Sequence, residues 1–359
     1  MYNPPVNGET LVRRIGFCLC SALLTLALAH TQGYSLRFYG NGTGDIDRVK
    51  IRIDDPTNNL PGPPADIGAT DFTIEFWVKG TLADNPSSPV TCGANENWIY
   101  GNIVIDRDRF SQDRKFGISI AGGRVVFGVT GNGTGAFTIC GTSNVLDGAW
   151  HHIAVQRRRS DGYMWLYVDG RLEAQGDGPN GDISYPDNGV PCGWCCNGSS
   201  CNFSDPFLVF GAEKHDYDRN AYPSFNGYLD EVRLSTTLRY SGNFTPPSQP
   251  FAPDAQTAAL YHFDEGSGTQ ILDSSGAAGG PSHGELRYGG DPAGPVWTTD
   301  TPFRRPGDVD GNGCVDDADL LQVLFAFGAT GSNPADVNGD SLVDDADLLI
   351  VLFVFGAGC

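Results

Sequence analysis

The residues most able to do chemistry lie between Asp308 and Cys359, where one short motif is written twice, 28 residues apart. In the first copy, oxygen-bearing side chains fall at positions 1, 3, 5, 9 and 12 of a twelve-residue loop, namely Asp308, Asp310, Asn312, Asp316 and Asp319. In the second copy they are Asp336, Asn338, Asp340, Asp344 and Asp347. This is the spacing by which a loop wraps a calcium ion, with position 7 lending only its carbonyl, so that Cys314 and Leu342 need no polar side chain there. Each loop concentrates four carboxylates around one point, and two ions would offset their repulsion. Both loops continue into Leu-Leu-x-Val-Leu-Phe, an apolar run expected to be a helix. The spacing thus predicts a small all-α unit of two calcium loop-helix repeats over residues 307–359.

Two details depart from the ordinary EF-hand. Position 12 is Asp rather than Glu, and Arg304-Arg-Pro-Gly307 before the first loop cannot be an entering helix. A duplicated loop with only an exiting helix and Asp at position 12 resembles the type I dockerin. The resemblance implies a calcium-folded module that docks onto a cohesin domain of a scaffold or cell-surface protein, most often in bacterial polysaccharide-degrading systems. It further implies that positions 10 and 11, here Asp317 and Ala318 and then Asp345 and Ala346, face the partner. Because these pairs are the same in both copies, either repeat can offer the same contact. Ser341 stands where the sharp turn at position 6 favours Gly, as at Gly313.

The rest of the chain supplies what such a module would carry. With 23 basic against 43 acidic residues, a formal charge of −20 disfavours nucleic acid and anionic membrane as partners. Arg13-Arg14 followed by the apolar run Ile15 to Ala29 has the form of a secretory signal, residues 1–29, too short to span a bilayer. The mature chain is therefore expected to be secreted, extracellular or held at the cell surface, with no membrane span after signal cleavage. Eight cysteines then remain, an even number in an exported chain, so disulfides are expected. Cys314 and Cys359 are the only ones in the terminal unit and are predicted to pair. The pairing of Cys92, Cys140, Cys192, Cys195, Cys196 and Cys201 is left open; the last four read as a stapled surface loop rather than a redox or zinc site.

Residues 34–300 read as many short strands with Gly-rich turns. Phe72-Thr-Ile-Glu-Phe-Trp-Val78 alternates, Gly122-Gly123 turns a hairpin, and Met164-Trp-Leu-Tyr-Val168 closes on Asp169-Gly170. Such a pattern predicts an all-β two-sheet jelly-roll sandwich, with a Gly/Pro-rich linker beginning somewhere within 276–306. Four segments, from Phe38, Ala149, Leu166 and Gly227, resemble the laminin-G-like, concanavalin-A-like jelly roll. That resemblance implies binding of a glycan or another surface ligand at a loop rim, sometimes beside a calcium ion, for which Asp45, Asp47 and Asp230 are the candidates here.

Aromatic residues such as Trp165 and Tyr167, opposite Leu166 and Val168, face either a sugar-stacking groove or a packed layer. His151 and His152 alternate across a strand and cannot share an ion. No Glu-x-Asp-x-x-Glu strand signature of a glycoside hydrolase occurs, Glu75 standing alone and Asp230 and Glu231 being neighbours on opposite faces. The expected function is non-catalytic binding of a carbohydrate or surface ligand within polysaccharide binding or breakdown. The alternatives are a glycoside hydrolase on the same fold and a structural, calcium-stabilised surface protein.

Overall fold

The computed structural model describes residues 33–359, apart from 42–46, 56–57, 110–112, 188–205, 215–219, 304–305, 312–313, 332, 339 and 358. The expected signal, Asp45, Asn312 and the Cys192 to Cys201 cluster lie outside the described residues.

Two antiparallel sheets pack face to face in a mostly-β sandwich. The first runs, in spatial order, β10 (Arg171–Asp177), β9 (Tyr163–Val168), β8 (Asp147–Arg157), β3 (Phe72–Thr81), β12 (Asn226–Ser235), β1 (Ser35–Tyr39) and β16 (Val296–Thr298). β13 (Thr257–Tyr261) takes the end of the β12 edge that β1 leaves free. The second sheet runs β14 (Gln270–Ile271), β15 (Gly284–Arg287), β2 (Arg48–Arg52), β11 (Phe207–Phe210), β4 (Asn102–Arg107), β5 (Lys115–Ala121), β6 (Arg124–Thr130) and β7 (Ala136–Cys140). Strands β14, β15 and β16 place much of the Gly/Pro-rich stretch 276–306 within the sheets.

Alternation decides which side chains meet between the sheets. Phe72, Ile74, Phe76 and Val78 of β3 join Ile153 and Val155 of β8, Met164, Leu166 and Val168 of β9, and Phe116, Ile118, Phe127 and Val129 of the second sheet in one core. The outer face of the second sheet holds Trp98 from the short turn Asn97–Tyr100. Gly117 and Gly128, directly paired across β5 and β6, leave the room it needs: a Cβ on either would lie within 2.1 Å of the indole. A disulfide between Cys92 and Cys140 ties the segment before this turn to β7.

Two helices, α1 (Asp317–Ala326) and α2 (Asp345–Phe353), follow the two acidic loops. Among the described residues no helix is long and apolar enough to cross a membrane. The repeats share a core in which the two copies contribute matching residues: Val315 and Val343, Val323 and Val351, Leu320 and Leu348. They also exchange their tails. After α1, the Gly328 amide donates to the Val343 carbonyl and the Val343 amide to Ala329; after α2, Gly356 donates to Val315 and Val315 to Ala357. Each loop is thus completed by the other repeat, and Cys314 and Cys359 are disulfide-bonded at one of these crossings, with Cα atoms 4.7 Å apart.

Candidate functional site

The first acidic loop draws Asp308, Asp310 and Asp319 together, with one ligand oxygen from each lying within 4.8 Å of the others. A hard cation needs such converging oxygens. Asp319 is held there by the backbone: Oδ1 accepts from the amides of Val309 (2.6 Å) and Asp310 (3.0 Å), and Oδ2 accepts from Asp316 (2.9 Å). Asp347 repeats the pattern with Val337 (2.7 Å), Asn338 (3.0 Å) and Asp344 (2.9 Å). Position 12 therefore ties the loop's start to its end before any ion is considered.

Asp316 and Asp344, at position 9, turn out to be helix N-caps: each accepts from the amide two residues on at 2.8 Å, and Asp319 and Asp347 complete capping boxes. The Asp-x-x-Asp spacing carried this signal. In the second loop Asp336 accepts from the amides of Asp340 (3.1 Å) and Ser341 (2.8 Å), while the Asn338 side chain donates to Asp340 at 3.0 Å. Ser341 takes a positive φ of 73°, the strained turn its position requires. Leu342 is half-exposed and opposes Thr330, as Cys314 opposes Cys359 in the first repeat.

Both helices leave the same face uncovered. Asp317, Ala318, Asp345 and Ala346 are exposed, and beside them lie Leu321, Leu324 and Phe325 in one repeat and Leu349, Leu352 and Phe353 in the other. Phe325 is 86% and Phe353 85% exposed, so their rings contribute almost nothing to the module's own core.

On the sandwich, the outer face of the first sheet is roofed by residues 236–254 and by Phe303. Tyr167 is buried against Tyr240 and Phe244, which stack at 3.5 Å, and Trp77 packs on His152 and Phe303. Tyr167 therefore belongs to a packed layer. Trp165 stays partly open beside Tyr163, with Arg158 5.2 Å from its ring. Sequence reasoning missed this roof, although Tyr240, Phe244 and Phe251 in a Pro-rich stretch were its signal.

Beneath the roof, Glu75 is fully buried and accepts from Arg233 (2.7 and 2.9 Å) and the Tyr240 hydroxyl (2.5 Å), with His152 Nε2 3.4 Å away. Burial alone pushes Glu75 up, but the surrounding donors and the Arg233 charge outweigh it and hold the carboxyl below its ordinary range. His151 sits at the rim between Asp169 (2.8 Å) and Asp147 (3.0 Å), whose hydrogen bonds raise it to about 8. The two histidines therefore serve separate networks.

A family model, Laminin_G_3, described as the concanavalin A-like lectin/glucanases superfamily, matches residues 54–240, just over half of the chain. The chain belongs to this concanavalin A-like superfamily. Among curated proteins, none matches its sequence. Some solved structures are similar to it at low identity. A candidate carbohydrate binding protein from Bacteroides ovatus is 16% identical over 76% of this chain and 62% of its own, with a TM-score of 0.45. A heptameric SAP-like pentraxin from Limulus polyphemus is 12% identical over 60% and 79%, TM-score 0.37. The CBM40 of a Ruminococcus gnavus IT-sialidase, bound to α2,3 sialyllactose, is 16% identical over 56% and 92%, TM-score 0.35.

Of the rim candidates of this concanavalin A-like sandwich, the two described ones, Asp47 and Asp230, do not come together. Asp47 turns its carboxylate onto the amides of Tyr39 (2.5 Å) and Asn41 (3.2 Å). Asp230 lies at the other end of the β1–β12 pairing, past Leu229, which opposes Leu36. It is buried beside Glu231 and Asp264, so desolvation and those two charges hold it well above the usual carboxylate range. Glu231 in turn is tied to His262 at 2.6 Å and to the Phe251 amide at 2.8 Å.

Proposed function

We propose that this chain is an exported, non-catalytic binding protein. Its concanavalin A-like sandwich recognises a glycan or another surface ligand, and its terminal repeats form a calcium-dependent, dockerin-like module that docks onto a cohesin domain. The observation that carries the reading is the reciprocal exchange between the repeats: Val315 with Gly356 and Ala357, Val343 with Gly328 and Ala329. That exchange leaves two equivalent faces, each with an acidic-small pair followed by an uncovered Leu-Phe strip, too apolar to be a solvated cap.

The residues of the loops fit calcium. Asp308, Asp310 and Asp319 offer only oxygen ligands, and Asp336, Asn338, Asp340 and Asp347 do the same in the second copy. Two ions would offset the loops' charge. The chain's own residues do the rest: backbone amides orient Asp319 and Asp347, the N-caps start the helices, and the exchanged tails bind the halves together.

A non-catalytic reading is supported by the fate of the carboxylates that a hydrolase would need. Glu75 and Glu231 are buried and committed to Arg233 and His262. A glycan array read with and without calcium, alongside an assay for released reducing sugar, tests the proposal. Calorimetry against cohesin domains tests the docking half. Binding without turnover is expected; turnover abolished by Glu231→Gln would put the hydrolase reading first.

A further inference from the structure

The outer face of the first sheet carries two open stripes, one on each side of the roof. The stripe at Trp165 is separated from the other by Tyr167, Glu75 and Trp77, which lie beneath residues 236–254 or Phe303. Strand register sets the second stripe as a row: Trp150 of β8 stands opposite Lys79 of β3, Lys79 opposite Tyr228 of β12, and Tyr228 opposite Arg37 of β1. Because the rows of a sheet share a face, all four side chains point the same way, and each is half-buried. Tyr39, two residues along β1 from Arg37, adds a further ring to that end.

The two cations of the row are answered differently. Lys79 donates to Asp300 at 2.6 Å, and Asp300 also accepts from Trp150 Nε1 at 3.0 Å, so that end of the row is closed. Arg37 has no such partner: among the described residues no carboxylate comes within ion-pair distance of its guanidinium. Its Nη1 donates to the Gly227 carbonyl at 3.3 Å, while its Cζ lies 4.7 Å from the centre of the Tyr39 ring and 5.0 Å from that of Tyr228. Two other arginines of this face, Arg158 and Arg239, are held by Asp161 and Asp254. The rings thus fix the plane of the Arg37 guanidinium, and the rest of its N–H fork meets no protein acceptor among the described residues.

We propose that Arg37, Tyr39 and Tyr228 form a binding surface for an anionic sugar, a polysaccharide residue bearing a carboxylate or a sulfate ester. Arg37 takes the oxyanion on its free N–H edge, in the paired geometry that a guanidinium offers and an ammonium does not. The two tyrosines present apolar ring faces to the sugar beside polar hydroxyls. The chain's charge of −20 does not forbid this, since charges more than about 8 Å away are largely screened at physiological salt, and the charge the ligand meets here is one unpaired cation. The surface lies on strands β1 and β12, needs no metal, and is separate from the ring of Trp165. It deepens the glycan-binding reading of the sandwich and rests on that reading, not on the docking module.

The test uses the full chain and calorimetry against polygalacturonate, dextran sulfate and neutral dextran, at low and at physiological salt. Wild type is expected to bind polygalacturonate, dextran sulfate or both, more weakly at the higher salt, and to leave dextran unbound; the polymer retained tells a carboxylate from a sulfate. Arg37→Ala should weaken that binding by about tenfold or more, and Arg37→Lys, which keeps the charge without the fork, should restore only part of it. Trp165→Ala should leave it unchanged. Should Arg37→Ala fail to fold, Tyr39→Ala is expected to weaken binding about threefold or more, and an unchanged affinity there sinks the proposal equally. The idea is overturned if neither anionic polymer binds, if dextran binds as tightly, if Arg37→Ala stays within about twofold of wild type, or if a single-stranded oligonucleotide binds more tightly than either polymer. A neutral glycan bound through Trp165, with no anion binding, would remove this site alone; no binding to any polymer or to a glycan array would remove the broader reading as well.

Discussion

Arg233 reaches Glu75 from the adjacent strand, its Nη2 donating to Glu75 Oε1 at 2.7 Å beneath a roof that leaves Glu75 with no exposed surface. Removing only the guanidinium would strand a buried charge. Arg233→Ala is therefore expected to destabilise the sandwich by about 3–5 kcal/mol, measured by urea unfolding at pH 7. The sign with pH follows from Glu75 being held low: its contribution is present above the unfolded-state value and is lost as pH falls through about 4 and below. A Glu75→Gln chain should accordingly lose less stability than wild type between pH 5 and 3. Parallel acid curves would contradict this.

His151 behaves in the opposite sense. Asp169 and Asp147 raise it to about 8, so its stabilising effect is complete below about 6.5 and fades as pH rises through 8. Proton NMR should place its titration near 8 in the folded chain. His151→Gln should abolish that part of the alkaline loss of stability.

The exchanged repeats are expected to need calcium. Chelator should lower the helical circular dichroism of α1 and α2 while the β-sheet signal persists, and calcium should restore it. Replacing Cys314 and Cys359 by Ser opens a loop with a sequence separation of 45 and should cost the module about 4 kcal/mol. Full helicity in chelator would rule out calcium-driven folding.

Docking should tolerate the loss of one face. Asp317→Lys is expected to leave cohesin affinity within about threefold, since the Asp345 face remains, whereas Asp317→Lys with Asp345→Lys abolishes it. Calorimetry in calcium decides. Complete loss on the single change would mean that only one repeat engages.

On the sandwich, Trp165 is the partly open ring, while Trp150 is pinned by its Nε1 to Asp300 at 3.0 Å. Trp165→Ala should weaken binding of whichever glycan an array identifies by about tenfold or more, a stacking contact of 1–3 kcal/mol. Trp150→Ala should instead lower stability. Reversed effects would move the ligand surface to the Trp150 flank.

How much of this was legible beforehand depended on the range of the interactions involved. The sequence alone determined the sandwich class, because alternation such as Phe72, Ile74, Phe76 and Val78 is a local consequence of the pleat. It also determined the two repeats, since loop spacing and helix starts are set within twelve residues, and the Cys314–Cys359 pair, since these are the only cysteines of the terminal unit. What only the tertiary structure decided was which second face each strand covers. Tyr167 and Trp165 follow the same alternation, yet one is sealed under Tyr240 and Phe244 and the other is partly open, because the roof arrives from more than 70 residues away. Glu75 and Arg233 are farther apart still, 158 residues along the chain. A carboxylate's surroundings, and with them its charge and its use, are assembled by strand order across the chain, and no local pattern encodes that order.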